Sequence, residues 1–263
     1  MKTWCFAAIG LALVVGHRPA MAEVKTQQIE YKQDGTTLMG FVAYDDAVKG
    51  KRPGVLVVHE WWGHNQHARN QAVRLAKAGY VGFALDMYGK GKVASHAKDA
   101  QAFAEQATKD PQVVAARFAA ALEKLKLQPQ VDPDKIAAIG YCFGGAVVLG
   151  MARGGADLDA VGVFHGDLTL HGPAAQKGKV KARVLVMTGG ADEFIPKAQV
   201  DAFKKEMKDA GVKAQVVVYP GAKHSFTNPE ADKMGMKQIG YDAGADKKSW
   251  SELEKFLKSV FGK

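Results

Sequence analysis

Apolar and polar positions alternate over residues 26–33 and again over 37–44, on either side of Asp34-Gly35. A period of two around an Asp-Gly pair predicts a β-hairpin. Beyond it the pattern changes. Pro53-Gly54 opens the unbroken apolar run Val55-Leu56-Val57-Val58, and Tyr80 to Leu85 is a second such run. Runs of this kind predict strands buried on both faces of a parallel sheet. Further strands are expected at Lys135 to Tyr141, Ala160 to His165, Ala182 to Thr188 and Lys213 to Tyr219. Between them the apolar period lengthens to that of a helix. The spacing predicts helices over 66–78 (stopped by Gly79), 95–126 (broken near Asp110-Pro111), 145–153, 197–210 (closed by Gly211) and 247–261.

Strands alternating with helices imply a mostly parallel sheet with helices on both faces, here preceded by an antiparallel hairpin. The expected class is α/β, with the arrangement of the α/β-hydrolase fold. Ligands in such sheets bind beyond the carboxyl ends of the strands. Candidate chemistry is therefore sought just after each strand.

The first 22 residues stand apart. Lys2 precedes the apolar run Phe6 to Val15, and Ala20-Met21-Ala22 precedes Glu23. This is the layout of a secretory signal peptide, with a cut expected after Ala22 and a secreted or periplasmic product. The run falls short of the ~20 residues a spanning helix needs, so no membrane association is expected after cleavage. Residues 23–263 are expected to form a single domain, since no linker or repeat divides them. A monomer is expected. The net charge of +9 comes from lysines interleaved with acidic residues, which is the pattern of a solvated surface rather than of a nucleic-acid partner.

The 263-residue chain contains two cysteines, Cys5 and Cys142, and the leader carries one of them away. Cys142 then has no partner for an intramolecular disulfide. It is either an inert core thiol or a reactive one. The strand Lys135 to Tyr141 runs directly into Gly140-Tyr141-Cys142-Phe143-Gly144-Gly145. Gly-x-Cys-x-Gly between a strand and a helix matches a nucleophile elbow with a thiol in place of a hydroxyl. The nucleophile of an elbow sits on a strained turn at a helix N-terminus, where the helix dipole favours thiolate. An acid and then a histidine should follow in chain order. Asp192 follows the strand Val184 to Met187, and His224 follows Val216 to Tyr219. His224 would take the proton of Cys142 and Asp192 would orient the imidazole. Asp192 has a bland alternative as the N-cap of helix 197–210. Asp167 is the rival acid.

An oxyanion hole needs two backbone N–H donors. Phe143 and Trp61 are the expected pair, the latter in the loop His59-Glu60-Trp61-Trp62-Gly63. That loop is histidine-rich, but His-Glu-x-x-His spacing is not met, because Gly63 stands four residues after His59 and His64 one residue too late. No metal or cofactor is called for. His59, His64 and His67 are expected at the surface or lining a pocket. His96, His165 and His171 carry no spacing signal.

With these motifs assembled, the sequence resembles the dienelactone hydrolase family (carboxymethylenebutenolidases) over most of the mature chain. The resemblance rests on His59-Glu60-Trp61-Trp62-Gly63, Asp86-Met87-Tyr88, Gly140 to Gly145, Gly190-Ala191-Asp192 and His224-Ser225-Phe226. It implies a Cys142–His224–Asp192 triad and an acyl-enzyme formed from an ester or lactone. It also implies that Glu60 approaches the thiol and helps control its ionisation. Family members bind a substrate carboxylate with two arginines. At the corresponding places this chain has Lys90 (or Gly89) and Asn228. Neither offers a guanidinium fork, so a less charged ester or lactone is expected, in a pocket that includes Trp61 and Trp62.

Two other functions fit parts of the sequence. A hydrolase scaffold without turnover would bind a small ligand and release no product. A redox protein would use Cys142 as its thiol, with an external resolving partner.

Overall fold

The computed structural model describes Met1, residues 23–169 and residues 173–262. The expected leader, apart from Met1, and His171 lie outside the described residues. The hairpin forms as the alternation requires. Strands β1 (Val24–Gln33) and β2 (Thr36–Asp45) pair antiparallel, with Gln33 opposite Thr36. Asp34 (φ 44°) and Gly35 (φ 74°) make the turn, and two left-handed residues match the twist of the flanking strands.

The remaining elements follow in order: β3 (Arg52–Val58), α1 (Gln66–Lys77), β4 (Val81–Leu85), α2 (Ala97–Thr108), α3 (Pro111–Lys126), β5 (Val131–Tyr141) and α4 (Phe143–Arg153). Then come β6 (Ala160–Phe164), β7 (Arg183–Gly189), α5 (Lys197–Asp209), β8 (Ala214–Tyr219) and α6 (Ala243–Phe261). They form one eight-stranded sheet in the order β1-β2-β4-β3-β5-β6-β7-β8. Strands β3 to β8 are parallel, and β2 joins them antiparallel through β4.

Alternation along each central strand separates two cores. Leu56 and Val58 pack with Phe118 and Leu125 of α3, Val148 of α4 and Phe203 of α5. Val55 and Val57 face the other way, with Leu75 of α1 and Leu253 and Phe256 of α6. A strand buried on both faces has no polar side to show, which is why these runs are uninterrupted.

Helix boundaries differ from the periodic reading where glycine intervenes. Helix α4 begins at Phe143, two residues before the expected start, because Gly144 and Gly145 lie inside it. Helix α6 begins at Ala243 rather than 247, where the Asp242 carboxylate accepts from Ala245 N–H at 2.9 Å. The expected helix 95–126 is indeed two, with Asp110 capping α3 and Pro111 in its first turn.

Chain order along the sheet reverses at β3, with β4 on one side and β5 on the other. That crevice, beyond the ends of β3 and β5, is where an open α/β sheet holds its ligand.

Candidate active site

Cys142 occupies the turn between β5 and α4. Its φ of 52° lies in the left-handed region, costly for a side chain other than glycine. Surrounding contacts enforce it. A Cβ on Gly140 would lie 2.0 Å from the Gly144 carbonyl oxygen, and one on Gly144 would lie 2.3 Å from that of Val58. Only glycine lets the elbow close this tightly against β3. The Cys142 N–H donates to the Phe164 carbonyl at 3.0 Å, tying the turn to β6. The thiol is half-buried at the N-terminus of the 11-residue helix α4.

His224 and Asp192 arrive from the loops after β8 and β7. His224 Nδ1 and Asp192 Oδ2 are 2.9 Å apart, and both residues are buried. The other ring nitrogen, Nε2, is left for Cys142, which lines the same cavity and acts on the ring's pKa. The second oxygen of Asp192 accepts from Phe194 N–H at 2.9 Å, which fixes the carboxylate. Asp192 does not cap the following helix, since Pro196 holds that position. Asp167 instead accepts from the backbone and hydroxyl of Thr169.

Burial alone would lower the His224 pKa. The charge of Cys142 and the hydrogen bond to Asp192 outweigh it and push the ring up to about 10. The ring therefore holds its proton through the neutral range. Because the folded pKa lies above the ordinary value of about 6.5, the associated stability is complete below pH 6.5 and is lost as pH climbs towards 10. An NMR titration of the His224 ring should show a midpoint near 10 in the wild type and a lower one in Cys142→Ala. An unchanged midpoint would show that the sulfur does not charge the ring.

The loop after β3 brings Trp61 to the same place. Its turn is closed by Gly63 N–H to the Glu60 carbonyl at 3.1 Å. The Tyr88 hydroxyl donates to the Trp61 carbonyl at 3.1 Å. Burial, with the charges of Cys142 and Asp86 adding to it, raises the Tyr88 pKa, so the phenol stays a donor. Phe143 N–H stands in the first turn of α4, where helix amides have no partner within the helix.

Glu60 is 2 % exposed, and both its oxygens are taken. Ser225 Oγ donates to Oε1 at 2.8 Å, and Asn228 Nδ2 donates to Oε2 at 2.6 Å. Ser225, with φ of 57°, is another residue in the left-handed region. The carboxyl thus joins the Trp61 loop to the His224 loop. Glu60→Ala would leave the Ser225 hydroxyl and Asn228 amide buried without an acceptor. Stability should fall by about 2–3 kcal/mol, read from the midpoint of urea unfolding. An unchanged midpoint would show that the two loops hold without it.

Several expected positions lie elsewhere. Asn228 is 1 % exposed and turned to Glu60 rather than to the cavity. Lys90 is on the outer surface, 2.5 Å from Glu30. Trp62 is not in the cavity lining; it packs against Ala94, Ala100, Ala231 and Ile239, edge-on to the Trp61 ring at 5.2 Å. The loop histidines are not at the surface and do not line the cavity. All three are buried. The Met87 N–H donates to His59 Nε2 at 3.1 Å, which leaves Nδ1 to donate to the Glu60 carbonyl. His59 lies 5.8 Å from the Phe143 ring, centre to centre, and His67 packs edge-on against Tyr141. His67 lies on the buried face of α1, and His59 is enclosed by Tyr88 and Phe143.

His165, which carries no spacing signal, belongs to the site. It follows β6 with φ of 39° and is fully buried. Its ring meets that of His224 edge-on at 5.1 Å, and its Nε2 is 2.8 Å from the Thr227 hydroxyl. Burial holds its pKa well below 6.5, with His224 adding to the effect. A neutral ring backs the charged one. Its place at a strand end was the only available signal. Among the described residues, four that are not glycine have φ in the left-handed region. Three of them, Cys142, His165 and Ser225, surround this site.

A cavity of about 830 Å³ is lined by Cys142 and His224 together with Trp61, Phe143 and Phe194. That volume suits a small organic ligand.

The fold and this crevice define an α/β-hydrolase. A model of the dienelactone hydrolase family matches residues 38–261, and the chain belongs to that family, whose members are hydrolases of ester and lactone bonds. It is similar to a crystal structure described as a dienelactone hydrolase-like promiscuous phosphotriesterase, P91, from metagenomic libraries. The two share 35% identity with a TM-score of 0.86, over 90% of this chain and 99% of that one. Protein usf of Aquifex pyrophilus is 29% identical over 237 residues, covering 88% of this chain and 97% of its own length. Dienelactone hydrolase from Anabaena variabilis is 17% identical with a TM-score of 0.64, over 90% of this chain and 99% of that one. That likeness concerns the fold alone.

Proposed function

We propose that the protein is an exported hydrolase of a small, uncharged ester or lactone, acting through an acyl-enzyme on Cys142. The observation that carries this reading is the chain of contacts from Asp192 through His224 to Cys142, assembled from the ends of three strands. In the proposed reaction the thiolate attacks the carbonyl carbon and forms a C–S bond. The carbonyl oxygen takes the negative charge and is received by the N–H groups of Trp61 and Phe143. Collapse of the tetrahedral intermediate breaks the C–O bond, and His224 Nε2–H gives its proton to the departing alkoxide. The neutral imidazole then takes a proton from water, which attacks the thioester. The acid leaves, and the proton returns to the thiolate–imidazole pair. Asp192 holds the ring in the required tautomer throughout.

Glu60 supports the site by holding its two loops together, since its oxygens are occupied by Ser225 and Asn228. Export rests on the composition of residues 1–22. N-terminal sequencing of protein released from the periplasm should begin at Glu23.

The test is trapping with p-nitrophenyl butyrate. Release of p-nitrophenolate should accompany a mass gain of one butyryl group on the peptide that contains Cys142. No release, or acylation elsewhere only, would overturn the reading. Binding without product would favour a non-catalytic ligand-binding protein, and peroxide-dependent oxidation of Cys142 without ester turnover a redox role.

A further inference from the structure

The cavity does not end at the catalytic groups. It continues along one side of α4, past Ala146, Val147, Gly150 and Met151 to Gly154. These positions recur every three to four residues, so they form one stripe of the helix. Helix α2 supplies Ala104 and Thr108 to the same cavity, and the start of α3 supplies Val114. From Cys142 to Gly154 the helix advances about 18 Å. Gly150 is the notable position. A Cβ built there meets nothing within 4 Å, whereas those on Gly140, Gly144 and Gly145 would collide with backbone. Glycine weakens a helix interior by roughly 1 kcal/mol relative to alanine. Here no neighbouring atom demands it. What it does is keep the middle of the cavity open.

The lining also constrains charge. It includes Glu105 and Asp167 but, among the described residues, no lysine or arginine. Beyond the His224 ring itself, a carboxylate on the substrate would meet no cation.

The geometry points to a substrate with an unbranched hydrocarbon chain that lies along α4, with Gly150 setting how long that chain is. Carbon–carbon bonds of about 1.5 Å advance roughly 1.25 Å each in a zigzag, so the stripe accommodates on the order of ten or more carbons. Met151 and Met236 border the path and adapt to chains of different shape. This rests on the hydrolase reading above and specifies its substrate class.

Two series of esters test it. In one, p-nitrophenyl acetate, butyrate, octanoate and laurate lengthen the acyl side. In the other, ethyl, butyl, octyl and dodecyl acetates lengthen the alcohol side. kcat/KM should rise by about fourfold per methylene in one series while the chain lies in the groove. The series that responds identifies which side occupies it. Gly150→Phe should lower the ratio of longest to shortest substrate at least tenfold. Ala146→Leu, one turn nearer the thiol, should move the cut-off to shorter chains. Gly150→Ala, with its small side chain, should keep the wild-type order. Flat chain-length profiles in both series, or a ratio unchanged in Gly150→Phe, would overturn the inference and leave the hydrolase reading intact. Failure to hydrolyse any ester, short ones included, would instead remove the hydrolase reading itself.

Discussion

Cys142→Ala is expected to lower kcat for aryl ester hydrolysis by about 10⁵–10⁶-fold, measured by p-nitrophenolate release under saturating substrate. Every proposed step passes through the sulfur. Without it there is no acyl-enzyme, and only the two N–H donors are left to stabilise the anion formed when water attacks. The remaining rate should be that of a bound ester attacked directly by water. Cys142→Ser should lie between the two. It keeps an attacking atom in the elbow, but its hydroxyl does not ionise beside His224 as a thiol does. Iodoacetamide should inactivate the wild type and leave no label on residues 23–262 of Cys142→Ala, because Cys142 is the free cysteine there. Retention of wild-type activity in the alanine variant would place the chemistry elsewhere.

Asp192→Asn is expected to cost about 10³–10⁴-fold in kcat with little change in fold. The change is one atom, and the side chain keeps its hydrogen bond from Phe194 N–H. Its effect comes through the tautomer of His224. The carboxylate accepts from Nδ1–H and leaves Nε2 free to exchange a proton with the thiol. An amide that presents its NH₂ to Nδ1 forces the hydrogen onto Nε2, where it points at the sulfur. The ring then cannot take a proton from Cys142. The same substitution removes a negative charge that raises the His224 pKa, so the ring should also titrate lower than about 10. Activity within a few-fold of wild type would indicate that another acid, such as Asp167, orients the ring. Asp167 is held by Thr169, so the double variant would separate the two cases.

These expectations share a feature: the residues they involve were legible in the sequence. Gly-x-Cys-x-Gly between a strand and a helix is a local signal. Its cause is steric, as the 2.0 Å and 2.3 Å approaches at Gly140 and Gly144 show. The order of Asp192 and His224 follows from parallel strands, whose carboxyl ends all reach one edge of the sheet. The hairpin, the buried strands and the break at Pro111 likewise follow from side-chain period and backbone chemistry within a few residues.

The rest depends on contacts between segments far apart in the chain. Glu60 meets Ser225 and Asn228 across 165 and 168 positions, and no local pattern marks that pairing. Asn228 stood at a place where the family resemblance puts a substrate contact. The folded chain turns it to Glu60 instead. His165 carries no motif, and only the packing of β6 against the His224 loop brings the two rings to 5.1 Å. Gly150 reads in sequence as a weak point in a helix, and its open side is visible only once α2 and α3 stand opposite it. The sequence by itself determined the alternation of strands and helices and the glycine-flanked turn that carries Cys142, with Asp192 and His224 after later strands. Tertiary structure alone decided what braces them and what shape of space they face, because long-range burial and hydrogen bonding depend on which surfaces meet.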